Sequence, residues 1–151
     1  MADYSVYSGM VGWNNPTLKG IYPEDLPPGW KLPFYNTQFR CVYLPLESWR
    51  EASDQQVRDW LIDTQEGFRF VLGGHLSEDA ALLSKAARFG EKGVLEREAQ
   101  IDWLDGKVDM RGLAARMQAA SARGQPLFVI ARDISPAELG QVNELIGILG
   151  L

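Results

Sequence analysis

Short apolar runs alternate with helix-start signals along this chain, and that alternation limits the fold more than any other feature. Four runs read as strands: Tyr4 to Val11, Cys41 to Leu46, Phe68 to Leu72 and Pro126 to Ala131. Glycines at 9 and 12 allow a tight exit from the first, and Gly73-Gly74 ends the third. Leu127-Phe128-Val129-Ile130 reads as a buried strand.

The stretches between them carry helix signals. Trp30 to Phe39 reads as a short helix. Ser53 and Gln56 form a capping-box pattern ahead of Val57, Trp60 and Leu61. Ser77 is placed to cap a helix with Leu82, Leu83, Ala86 and Phe89 on one face, stopped by Gly90. Asp109 precedes Met110, Leu113, Ala114 and Met117 at helical intervals, with Gly124 as the stop. Ser135-Pro136-Ala137-Glu138 combines an N-cap, a first-turn proline and a glutamate that reaches back, before Leu139, Val142, Leu145, Ile146 and Leu149. Val94 to Leu104 has helical spacing through Ile101 and Leu104, within a segment charged by Glu96, Arg97 and Glu98.

Strands separated by helices pair in parallel with right-handed crossovers. A full TIM barrel needs eight such units and about 250 residues. The 151 residues here hold about half. The expected fold is a single α/β domain over residues 1–151: a mostly parallel sheet of four or five strands with flanking helices, resembling a partial TIM barrel.

Composition narrows the function. Fifteen basic and 20 acidic residues give a net charge of -5, against the basic stripe that nucleic acid binding needs. No apolar run reaches the roughly 18 residues of a membrane helix, and no leader pattern opens the chain, so no membrane partner is expected. Cys41 is alone, so no internal disulfide forms, and a cytoplasmic location is expected. One histidine, one cysteine and no carboxylates at ligand spacing predict no metal, and no cofactor motif is present. No Gly-x-Ser-x-Gly elbow occurs.

In parallel α/β folds, ligands sit at the C-terminal ends of strands. Those ends carry Trp13 and Asn14, then Glu47, then His75, then Arg132 and Asp133. His75 is suited to general acid/base work, oriented by Glu47 or Asp133; the other reading is a loop histidine without a role. Arg132 is a fork for an anionic ligand group, or one half of an ordinary salt bridge. Trp13, Trp30 and Trp49 sit in or beside loops, where they line a pocket or an interface, or pack in the core; Trp60 falls on an apolar helix face.

Gly9-Met10-Val11-Gly12-Trp13 followed by Gly20-Ile21-Tyr22-Pro23 resembles the opening of the YecE-like family, a group of TIM-barrel proteins of unknown function (domain of unknown function seventy-two). That opening typically reads Gly-Thr-Ser-Gly-Trp, then Gly-x-Tyr-Tyr-Pro; Met10 and Val11 stand here in place of Thr-Ser. Trp30, Leu32, Tyr35 and Phe39 echo its Trp-Leu helix with a late Phe. Val42-Tyr43-Leu44-Pro45 replaces its Val-Glu-Ile-Asn strand, so the acidic residue and asparagine are gone. Thr64 and Gly67-Phe68-Arg69-Phe70-Val71 are similar to its Thr-Pro-x-Gly-Phe-x-Phe strand, and Leu72-Gly73-Gly74 stands where the family has a lysine. The resemblance covers residues 4 to about 75. It implies a barrel scaffold whose usual polar strand positions are altered.

Two functions follow as expectations. The first is a non-catalytic protein that binds a small molecule or another protein. The second is a small enzyme using His75 at the C-terminal rim. A homodimer is also expected, because half a barrel leaves two sheet edges and an open concave face. On that reading Val42, Leu44, Phe70 and Val129 need cover.

Overall fold

The computed structural model describes residues 4–74 and 79–151. Six strands form one sheet, and every neighbouring pair is parallel: β1 Val6–Val11, β2 Cys41–Leu44, β3 Arg69–Leu72, β4 Gly93–Leu95, β5 Ile101–Asp105 and β6 Leu127–Asp133. Helices α1 Lys31–Gln38, α2 Leu46–Arg50, α3 Asp54–Ile62, α4 Ala80–Ala87, α5 Met110–Ala122 and α6 Pro136–Leu149 fill the intervals.

The sheet has six strands rather than four or five. The extra two come from the charged segment whose spacing suggested a helix. Phe70 pairs with Gly93 and Leu72 with Leu95, while Ile101 to Asp105 run beside β6. Both are short edge strands, and an edge tolerates charge that a central strand does not. Their pairing is a tertiary event that local spacing does not encode.

The strand order is β4-β3-β2-β1-β6-β5. This is the circular order of a barrel, 1-2-3-4-5-6 and back to 1, with the β4–β5 junction left unpaired. The sheet also curls. Tyr43 on β2 and Trp103 on β5 meet edge-on, ring centroids 4.9 Å apart. They are three strand spacings apart, about 14 Å in a flat sheet.

Alternation along the strands divides the side chains between two faces. Val6, Met10, Val42, Leu44, Phe70, Leu72, Val129 and Ala131 lie under the helices, with Leu113 and Met117 of α5 and Leu139, Val142 and Ile146 of α6. Tyr7, Cys41, Val71, Phe128 and Ile130 occupy the other face, with Tyr43, Val94, Ile101 and Trp103 against them. This concave bore contains its own filling. The four residues expected to need cover from a second copy are therefore on the opposite face, buried by the chain's own helices. Strand parity puts their immediate neighbours Cys41, Tyr43, Val71, Phe128 and Ile130 in the bore.

Local chemistry explains the joins. Tyr35 of α1 reaches between β1 and β2: its hydroxyl accepts from Met10 N–H at 2.7 Å and donates to Cys41 C=O at 2.7 Å. Gly9 is required beside it, because a Cβ there would lie 2.0 Å from the Cys41 oxygen. The second strand ends at Leu44, two residues early, because Pro45 opens the short α2. Trp49 on that helix is fully buried and donates Nε1–H to Gly73 C=O at 3.0 Å, which makes it core rather than pocket wall.

The predicted helix starts at Ser53, Asp109 and Ser135 hold, each side chain accepting a backbone N–H. Helix α4 is capped by Asp79; Ser77 lies outside the described residues. Among the described residues no helix is long and apolar enough to cross a membrane.

Candidate functional site

The C-terminal ends of the strands carry two distinct groups of side chains. The first forms a recess at the ends of β1 and β2. Gly12 leaves β1 with φ +68°, a left-handed conformation that glycine adopts without strain, while its N–H donates to Tyr43 C=O at 2.9 Å. The turn sets Trp13 edge-on against Trp60 of α3, centroids 5.0 Å apart and planes at 81°. Tyr22 fixes the Trp13 backbone by donating its hydroxyl to that carbonyl at 2.6 Å, and burial pushes the Tyr22 phenol up to about 12.

The resulting recess measures about 370 Å³ and is lined by Val11, Gly12, Trp13, Asn14, Asn15, Leu44, Ser48 and Trp60. Asn15 Oδ1 accepts from Thr17 N–H at 3.0 Å, capping the following turn. Asn14 Oδ1 accepts from Lys31 Nζ at 3.5 Å.

The second group closes the mouth of the bore. The Tyr43 hydroxyl donates to Glu96 Oε2 at 2.9 Å, and Gly74 N–H donates to the same oxygen at 2.8 Å. Burial, then the Glu96 carboxylate, pushes the Tyr43 phenol up to about 12. Gly73 leaves room for this ring, since a Cβ there would meet the Tyr43 hydroxyl at 2.2 Å and displace it. Arg132 clasps Asp105 with both sides of its fork, Nε to Oδ1 at 3.0 Å and Nη2 to Oδ2 at 2.5 Å. Its guanidinium lies 4.4 Å from the Trp103 ring centroid. Asp105 raises the Arg132 pKa, chiefly through that hydrogen bond.

The residues expected from sequence divide between these groups. Trp13 and Asn14 line the recess. Arg132 stands at the bore mouth in a salt bridge with Asp105. Glu47 is exposed in the first turn of α2; its neighbour Ser48, not Glu47 itself, reaches the recess. Asp133 is exposed at the end of β6, its carbonyl accepting from Gly106 N–H at 2.7 Å. His75 lies outside the described residues.

Sequence reasoning missed Tyr43, Glu96, Trp103 and Asp105. Glu96 follows β4 and Asp105 ends β5, two strands that were not expected. Tyr43 was legible as the strand residue out of phase with Val42 and Leu44.

Cys41 is fully buried and free, and burial pushes its thiol up, away from nucleophilic use. Among the described residues no group of three His, Cys, Asp or Glu side chains is placed to hold a metal ion. A hollow of about 430 Å³ opens at the other end of the bore, lined by Tyr4, Tyr7, Arg69, Val94 and Phe128 among others.

No curated protein and no solved structure is significantly similar to this chain. The recognisable portion of the scaffold runs from β1 to β3. That portion, residues 7–77 and just under half of the chain, matches the model of the family described as protein of unknown function DUF72.

Proposed function

We propose that this protein is a non-catalytic binding protein whose ligand sits in the rim recess between the ends of β1 and β2 and helix α3. The observation that carries the reading is the contrast between the two rim groups. The acid, the base and the phenol at the bore mouth are engaged with one another: Glu96 with Tyr43 and Gly74, Arg132 with Asp105. The recess is open, aromatic and uncharged. It supplies contacts and hydrogen bonds but no titrating group for proton transfer among its lining residues. The lone, buried Cys41 supports a reducing cytoplasm as its setting.

A thermal-shift screen of small molecules tests this on the wild type and on Ser48→Trp, which fills the recess from an exposed position. Ligands that raise the melting temperature of the wild type and lose that effect in Ser48→Trp are expected. Ligands that stabilise both proteins equally would move the site elsewhere. Turnover of any ligand that His75→Ala abolishes would favour the enzyme reading.

Self-association is the second reading, supported by the outer edges of β4 and β5, which end the sheet. Light scattering at micromolar concentration is expected to give a dimeric mass. A monomeric mass would overturn it.

A further inference from the structure

We infer that the rim recess recognises a neutral sugar, packed on an indole face and held by uncharged amide and hydroxyl groups; this rests on the binding reading above. Four observations converge on that class.

The first is the lining itself. It combines two tryptophans, Val11 and Leu44 with Asn14, Asn15 and Ser48, and none of these residues carries a charge. A sugar hydroxyl both donates and accepts, as do the amides and the serine hydroxyl that face it. Anionic ligands need a charged fork or ammonium. Among the described residues no cation lines the recess; the Lys31 ammonium rests outside the lining, 3.5 Å from Asn14 Oδ1. The protein's net charge of -5 adds a field that repels anions.

The second is the ring geometry. Trp13 and Trp60 meet edge to face at 81°, and both also line the recess. An edge-to-face pair covers a face of only one of its two rings. Trp60 also lies against Phe89, centroids 6.3 Å apart, so Trp13 is the ring on which the sugar is proposed to pack. The C–H face of a pyranose is a flat apolar surface, and its rim of hydroxyls then meets the polar groups. A purely aromatic ligand would stack as well but leave Asn14, Asn15 and Ser48 without use.

The third is size. About 370 Å³ lies at the lower end of the roughly 300–1,000 Å³ typical of small-ligand sites, which suits one or two sugar rings.

The fourth is rigidity. The Tyr22 hydroxyl holds the Trp13 carbonyl, Gly12 N–H is tied to Tyr43, and Asn15 Oδ1 is committed to Thr17 N–H. The Asn15 amide NH₂ is thereby oriented, and less ordering is needed on binding.

The test follows the indole N–H resonances of Trp13 and Trp60 by two-dimensional NMR. The probes are glucose, galactose, maltose and cellobiose, set against cyclohexanol, indole, glucuronate and glucose 6-phosphate. At least one neutral saccharide is expected to shift both resonances saturably, with millimolar affinity. Asn14→Ala and Ser48→Ala, both at exposed positions, are each expected to weaken it about fivefold, the net worth of one hydrogen bond.

Shifts from cyclohexanol or indole without any from saccharides would overturn the sugar assignment and leave the recess as a binding site. Tenfold tighter binding of glucuronate or glucose 6-phosphate than of glucose would overturn the neutral class. No shift from any probe would overturn both the sugar assignment and the recess reading.

Discussion

The two faces of the sheet bury apolar side chains in different ways. The helix-covered face is aliphatic and aromatic and sealed by α1, α5 and α6, with Phe70 and Val42 fully buried. Among the described residues no helix side chain packs into the bore. It is filled by paired rings, Tyr7 stacked on Phe128 at 5.0 Å and Tyr43 against Trp103 at 4.9 Å, then closed by polar contacts at its mouth. An incomplete barrel thus fills its interior as a complete one does, by inward side chains, and substitutes curl and large rings for the missing strands. The proposed binding recess lies at the rim, at the ends of β1 and β2.

Substitutions on the two faces sharpen this contrast. Phe70→Ala should destabilise the fold by about 4 kcal/mol, because its neighbours are fixed between sheet and helices and leave a cavity. Phe128→Ala should cost about 3 kcal/mol, at the low end for this change. Phe128 lines the hollow at the lower end of the bore, so water can enter the space it leaves. Denaturant midpoints check the order, and a larger loss at Phe128 would mean that the bore carries the core.

Ser135→Ala should cost about 1 kcal/mol, through loss of its hydrogen bond to Glu138 N–H. An unchanged melting temperature would mean that packing alone starts α6.

The smallest effect is alkaline. Tyr22 and Tyr43 have folded pKa values near 12, above the ordinary 10.0. The unfolded chain releases these protons first, so the stability they contribute is complete below about pH 10 and is lost as pH rises through about 12. Tyr43→Phe should flatten that decline by removing the bore's share, leaving that of Tyr22. Chemical denaturation across this window checks it, and an unchanged slope would detach the Tyr43–Glu96 contact from stability.

These contrasts also explain what the sequence made legible. Helix starts at Ser53, Asp109 and Ser135 are local chemistry, an oxygen within reach of an N–H three residues on, and they read directly. Strands β4 and β5 exist because β3 and β6 present edges to them, and nothing within residues 93–105 states that. Arg132 was legible as a rim residue, but its partner Asp105 depends on β5 lying beside β6.

Trp13 and Asn14 followed from the rule that ligands sit at strand ends. Trp60 and Ser48 join them only because Pro45 turns the chain into α2 and α3 packs edge-on against Trp13. The assignment of Val42, Leu44, Phe70 and Val129 to an open face failed on parity alone: a strand shows one set of residues to the bore and the alternate set to the helices.

The central claim is that the rim recess binds while the mouth of the bore beside it is closed. A crystal soaked in a library of small neutral molecules tests it most directly. The account predicts ligand density between Trp13, Trp60, Asn14 and Ser48, with the Arg132–Asp105 and Tyr43–Glu96 contacts unbroken. Ligand density inside the bore, displacing Trp103 or Arg132 to reach Glu96, would contradict it and place the site among the acid and base groups instead.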